Sequence, residues 1–192
     1  MSEVQSTMLP LGTQAPAFEL KDVVSGKKVS LNDFEEKDAL LVIFICVHCP
    51  YVQHIKYELA KLGNEYLKKN VGVITINSND IKNYPEDAPK YMKEMADELS
   101  FQFPFLFDET QEIAKKYTAA CTPDFFLFNE NKKLVYRGQL DNARPGNNNE
   151  INGMDLRNAT EAVLKNKEVS NTQKPSSGCN IKWKAGNEPS YF

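Results

Sequence analysis

The chain has 192 residues, of which 41% are apolar and 26% charged, and its formal net charge is −3. These values fit one globular domain with a sizeable core and exclude a basic footprint for nucleic acid or anionic lipid. No apolar run approaches the roughly 20 residues of a membrane span, and Met1–Pro10 lacks a basic segment followed by an apolar one, so the sequence predicts a cytoplasmic protein with no membrane partner.

Leu11–Phe34 reads as an extended lead-in, with Ala15–Leu20 and Lys28–Leu31 alternating like edge strands around a turn at Ser25-Gly26. Leu40–Ile45 is a continuous apolar run, too short for a helix and rich in branched residues, which predicts a central strand buried on both faces. After Pro50, apolar residues recur at Val52, Ile55, Leu59, Leu62 and Tyr66, the spacing of an amphipathic helix facing that sheet. Val71–Ile76 is a second buried strand and closes a right-handed β-α-β unit. A helix starting at Pro85 or Pro89 follows, with Ala88, Met92, Met95 and Leu99 inward. Phe103–Phe107 is short and extended, and another helix is expected from about Glu109 to Tyr117. Phe125–Phe128 and Lys133–Leu140 flank Asn129-Glu130-Asn131 as an antiparallel hairpin. Asp141–Met154 is an Asn- and Gly-rich loop, after which Asp155 is expected to cap a helix carrying Leu156, Ala159 and Val163 inward. The order predicts a mixed α/β sandwich over residues 1–165. The tail, 166–192, begins like a linker, but Cys179, Ile181, Trp183, Tyr191 and Phe192 predict that it docks on the domain.

Four cysteines are too few for a disulfide scaffold in a chain of this length. Two of them form Cys46-Val47-His48-Cys49, directly after the apolar run and directly before Pro50. A strand that ends in a dithiol at a helix start suits thiol–disulfide exchange. The strand is expected to aim the Cys46 sulfur at solvent, where the first helical turn offers it free N–H groups and the positive end of the dipole. Both sulfurs on one turn can close an intramolecular disulfide without large backbone movement. Pro50 removes a backbone donor where its loss costs little. His48 reads either as an exposed spacer or as a donor to the Cys46 thiolate that moves the couple toward the oxidising side. His54 reads as a surface or boundary residue.

These residues resemble the thioredoxin superfamily, and specifically its redoxin branch, which includes the alkyl hydroperoxide reductase and thiol-specific antioxidant proteins. The lead-in Gly12-Thr13-Gln14-Ala15-Pro16-Ala17-Phe18-Glu19-Leu20 is similar to that branch's N-terminal signature, and Thr122-Pro123 before a strand to its cis-proline position. The chain also resembles bacterial thioredoxin-like proteins with a Cys-x-His-Cys-Pro site. They share a stretch like Tyr136-Arg137-Gly138, Asp141 and Arg144-Pro145-Gly146-Asn147, and a tail like Ser177-Gly178-Cys179-Asn180-Ile181-Lys182-Trp183-Lys184.

The resemblance implies a thioredoxin-like α/β fold, a central mixed sheet flanked by helices, with an N-terminal β extension and a docked C-terminal tail. It implies a dithiol oxidoreductase in which Cys46 attacks, Cys49 resolves, and Thr122 with a cis Pro123 presents backbone to an extended substrate. Its partners would be protein or small-molecule disulfides and an electron donor of unspecified identity, with no nucleic acid and no cofactor. Cys121 would then lie close to the dithiol, as a small buried hydrophobe or as the partner of Cys179 in a second redox pair. Arg137, Asp141 and Arg144 read as solvated ion pairs or as groups that orient the tail or a substrate carboxylate.

The chain departs from the family pattern in two places. Classical thioredoxins carry a buried Asp on the strand before the dithiol and a Trp before the first cysteine, whereas here those places fall in Leu40–Ile45. A peroxidase reading needs a Thr hydroxyl where Ile43 stands, though Arg137 could supply a guanidinium. A metal reading would draw on Cys46, His48 and Cys49 with Cys121 or Cys179 as soft ligands for Zn or Cu(I), although no resident metal is expected.

Overall fold

The structure, a computed structural model, describes residues 3–192. In chain order the strands are β1 (Glu3–Gln5), β2 (Glu19–Asp22), β3 (Lys28–Ser30), β4 (Ala39–Phe44), β5 (Val71–Asn77), β6 (Phe105–Phe107), β7 (Cys121–Thr122), β8 (Asp124–Asn129), β9 (Leu134–Gly138) and β10 (Ser177–Asn180). The helices are α1 (Pro50–Leu67), α2 (Pro89–Glu98), α3 (Glu112–Lys116) and α4 (Met154–Leu164).

A seven-stranded mixed sheet runs in the order β3-β2-β6-β5-β4-β8-β9. Its centre is β4, paired parallel to β5 and antiparallel to β8, with all six of its residues buried. The apolar run is continuous because each face of the strand meets its own core. Leu41 and Ile43 join α1, α2 and α4 on one side, and Leu40, Val42 and Phe44 join Phe126, Phe128 and Tyr117 on the other. Helix α1 buries Val52, Ile55, Leu59, Leu62 and Tyr66, the stripe its spacing predicts. The hairpin β8–β9 and strand β3 also form where expected, whereas β2 runs from Glu19 to Asp22, later than the Ala15–Leu20 strand that the alternation predicts. Among the described residues no helix is long and apolar enough to cross a membrane.

Two boundaries differ from the sequence reading. Helix α3 begins only at Glu112, because Gln111 takes a left-handed conformation (φ 65°) and its side-chain amide donates to the Ser78 and Lys182 carbonyls. Helix α4 is capped by Gly153, also left-handed (φ 66°), and Asp155 lies inside the first turn, where it accepts from the Gln139 amide at 2.6 Å.

The tail adds a second, three-stranded sheet in the order β1-β10-β7. Strand β7 precedes the Thr122–Pro123 peptide bond, which is cis. Beyond β10, Ile181 and Trp183 enter the core beneath the main sheet, so the tail is anchored on both sides of that strand.

Candidate active site

Strand β4 and α1 meet at the dithiol. Cys49 is the N-cap of α1 and Pro50 its first residue, so it is Cys49 rather than Cys46 that stands at the positive end of the helix. On the other side stands Thr122, whose hydroxyl lies 3.4 Å from Cys46 Sγ and whose carbonyl accepts from the Cys49 thiol at 3.1 Å. The two sulfurs of the dithiol are in hydrogen-bonding contact.

The expectation of an exposed, readily ionised Cys46 is corrected here, because Cys46 and Cys49 are both 0% exposed. Burial lifts the Cys46 thiol well above its ordinary value, with the Cys49 contact and the Asp87 charge adding to it and the Thr122 hydroxyl opposing. Cys49 moves the other way, to about 5, because Cys46 donates to it and Cys179 adds to that against the opposing effect of burial. The Thr122 carbonyl is an acceptor and pulls against this ionisation, but the donors around the sulfur outnumber it. Of the two, Cys49 is the thiol shifted toward ionisation and Cys46 the one shifted away from it.

Asp87 braces the loop between the cysteines. It sits in the turn before α2, fully buried, with one carboxylate oxygen accepting from the Val47 and His48 backbone N–H groups at 2.8 and 3.0 Å. The other oxygen meets His48 Nδ1 at 2.6 Å and accepts from the Asn79 amide at 2.8 Å. The His48 ring also stacks on Tyr84, 5.5 Å between centroids and 10° between planes. His48 is thus neither a free spacer nor a donor to Cys46. Its Nδ1 is taken by Asp87, and its buried Nε2 has no partner. The hydrogen bond to Asp87 raises the His48 pKa against the opposing effect of burial. Burial pushes the Asp87 carboxyl up, but the His48 and Asn79 hydrogen bonds exceed it and the net shift is downward. Donor atoms of Cys46, His48 and Asp87 lie within 4.8 Å of one another. Both Asp87 oxygens are already occupied by donors, so this cluster is built as a brace and does not favour the metal reading. Asp87, Asn79 and Tyr84 carried no signal in the sequence, because they reach the loop from the far end of β5 and the turn beyond it.

The remaining candidates separate. Cys179 lies opposite Thr122 in the β10–β7 register, and Cys121 lies opposite Asn180. Paired residues share a face and successive ones alternate, so Cys179 faces the dithiol while Cys121 faces away. Cys179 contacts Cys49, and Cys121 instead points its sulfur at the Pro123 carbonyl, 3.5 Å away. The tail cysteine is thus directed to the dithiol and not to Cys121. Burial and the Cys49 contact raise the Cys179 pKa to about 12, and burial raises that of Cys121.

The Arg137 guanidinium and backbone N–H both donate to Gln173 Oε1, at 2.9 and 3.0 Å, and Ile43 is a wholly buried strand residue. Position 43 therefore supplies no hydroxyl, and Gln173 ties the Arg137 guanidinium to the segment before β10. Asp141 accepts from the Ala143, Asn152 and Gly153 N–H groups, and Arg144 donates to the Asp141 and Ala143 carbonyls and to Gln139. These residues organise the Asn-rich loop and do not form ion pairs with each other. His54 is half-buried on α1.

The chain is similar to several known proteins. A crystal structure of an uncharacterized conserved protein from Geobacillus kaustophilus is 51% identical and superposes with a TM-score of 0.94, covering 96% of this chain and 97% of that one. A hypothetical protein from Sinorhizobium meliloti is 47% identical, with a TM-score of 0.93 over 95% of this chain and 99% of its own. The thiol-disulfide oxidoreductase ResA of Halalkalibacterium halodurans is 27% identical over 124 residues, a match spanning 65% of this chain and 65% of that relative's length. The model of the Redoxin family matches residues 10–154, from the lead-in through the dithiol to the start of α4, and the chain belongs to that family.

Proposed function

We propose that this chain is a thiol–disulfide oxidoreductase whose working couple is Cys46/Cys49, acting on protein or small-molecule disulfides. The observation that carries the reading is the contact between the two sulfurs at the start of α1, with the Thr122 hydroxyl on one and its carbonyl on the other.

In the oxidised chain a substrate thiolate attacks Cys46 Sγ. The Cys46–Cys49 bond breaks, its electron pair leaves on Cys49, and a mixed disulfide joins the substrate to Cys46. A second substrate thiolate then attacks the substrate sulfur, which closes the substrate disulfide and returns Cys46 as a thiol. Reduction of a substrate disulfide is the same sequence reversed, with Cys49 attacking Cys46 to release the product.

The geometry favours the oxidising direction. The Cys179 thiol beside Cys49 donates to it as it leaves, and once Cys46 is again a thiol it does so too; stabilising the reduced form raises the potential. The couple then belongs toward the upper end of the range from about −270 to about −120 mV. Since Cys46 is fully covered at rest, exchange also needs the surrounding loop or tail to open.

The test is Cys49→Ser, which leaves the mixed disulfide on Cys46 without a resolving thiol. Adducts between Cys46 and cellular or model thiols should accumulate under non-reducing electrophoresis and vanish in Cys46→Ser/Cys49→Ser. Absence of adducts, together with a wild-type dithiol that neither oxidises nor reduces a model peptide, would end this reading.

A further inference from the structure

Strand β10 does more than cover the site. Its register places Cys179 opposite Thr122, the residue whose hydroxyl and carbonyl hold Cys46 and Cys49. The strand lies so close that a Cβ on Gly178 would run into the Thr122 carbonyl, so only glycine fits there. The placement is held on both flanks. Ser176 Oγ donates to the Pro123 carbonyl at 2.6 Å, and the Lys182 N–H donates to Asn79 Oδ1 at 2.9 Å. On the outer side β1 pairs with β10 along Ser177–Cys179. Ordering such a tail costs conformational entropy at every residue, and the result is a third sulfur fixed against the dithiol. Cys49 is the atom that touches both others, Cys46 on one side and Cys179 on the other. That is the topology for exchange at a central sulfur, with one neighbour entering and the other leaving.

We propose that Cys179 is a third redox-active residue, which exchanges with the Cys46–Cys49 disulfide at the Cys49 sulfur. The proposal rests on the dithiol reading above. In the step, Cys179 loses its proton and attacks Cys49 Sγ. The Cys49–Cys179 bond forms, the Cys46–Cys49 bond breaks, and the electron pair leaves on Cys46, which takes up the proton. No electrons are gained or lost overall, so no outside oxidant or reductant enters. The disulfide has moved from the fully buried pair to one that includes a strand residue 4% exposed. Cys46 becomes a free thiol in a chain that is still oxidised. The tail is thereby a relay that passes oxidising equivalents between β10 and the substrate-joining sulfur, in either direction.

The experiment is disulfide mapping of the full chain, equilibrated in a graded glutathione buffer, quenched with acid, alkylated and digested for mass spectrometry. In wild type, peptides linked through Cys46–Cys49 and through Cys49–Cys179 should both appear at intermediate poise. In Cys46→Ser, Cys49–Cys179 should become the dominant protein disulfide, while Cys121 stays alkylatable throughout. A Cys46→Ser chain in which Cys49 carries glutathione and Cys179 stays free would overturn the relay, as would a wild type that forms Cys46–Cys49 alone. The latter result leaves the oxidoreductase reading standing. A wild-type chain whose Cys46 stays fully alkylatable across the whole range removes both.

Discussion

Two segments far apart in sequence grip the dithiol loop, and they do it with different chemistry. The turn before α2 uses a charge, the Asp87 carboxylate, which gathers two backbone N–H groups and the His48 ring. The tail uses backbone pairing, a glycine with no side chain to obstruct it, and a thiol. The first grip sets the shape and protonation of the loop. The second sets which sulfur stands beside Cys49. They are also tied to each other, because Asn79 donates to Asp87 from its amide and accepts the Lys182 N–H at its carbonyl. Lys182 Nζ in turn lies 5.6 Å from the centroid of Tyr84, the ring stacked on His48. Asn79 thus joins the two grips by buried polar contacts.

Removing the charged grip is the severest way to test this difference. Asp87→Ala leaves the Val47 and His48 N–H groups, the His48 ring and the Asn79 amide without their acceptor. Breaking a buried, fully hydrogen-bonded ionic group in this way costs about 3–5 kcal/mol, which urea unfolding would read as a lower midpoint at unchanged slope. The freed loop should also expose Cys46 to alkylation in the folded protein. A loss below about 1 kcal/mol would assign Asp87 the ordinary effect of a surface substitution and discard the brace.

The tail grip is weaker and more specific. Gly178→Ala forces a methyl group into the Thr122 carbonyl, where backbone cannot yield as a flexible side chain would. Overpacking of this kind costs about 1–3 kcal/mol. Its distinguishing sign is local, since Cys179 should become alkylatable at denaturant concentrations where α1 and the main sheet are intact by circular dichroism. Uniform loss of protection across all four cysteines would mean that β10 is part of the global fold and not a separable strand.

The same contrast explains what could be read from the sequence. Strand β4 was legible because both its faces are buried, and α1 because Val52, Ile55, Leu59, Leu62 and Tyr66 repeat at helical spacing. The dithiol and its position at the strand-to-helix junction followed from the same local patterns. Cys46 exposure did not, because what covers the sulfur comes from other segments of the chain. Asp87 was silent for the same reason, since its partners Val47 and His48 are forty and thirty-nine positions away. The tail is the intermediate case. Its aromatic residues announced docking, but the cysteine it would meet depended on register, and a shift of one residue turns a side chain to the opposite face. Cys179 therefore contacts Cys49, where the sequence had offered Cys121 either as a buried hydrophobe or as its partner.

The smallest effect is that of His48 on the charged grip, read by proton linkage. His48 has a raised pKa in the folded chain, so its contribution to stability is full below its ordinary 6.5 and fades as pH rises through the raised value. Asp87 is lowered from 3.8, so its contribution is full above that value and is lost as pH falls through the lowered one. Between the two the brace is complete. Cys49 behaves oppositely to His48. With a folded value of about 5 against 9.0 for a free thiol, its thiolate adds stability steadily as pH climbs between them, and only while the dithiol is reduced. Melting temperatures across pH should therefore diverge by redox state. In the oxidised protein the advantage of wild type over His48→Gln should shrink above neutrality, by no more than about 1 kcal/mol after solvent screening. In the reduced protein the wild-type curve should gain on the oxidised one across the same interval. Parallel curves for the two redox states would show that Cys49 does not hold the charge. They would also remove the physical basis for placing this couple on the oxidising side.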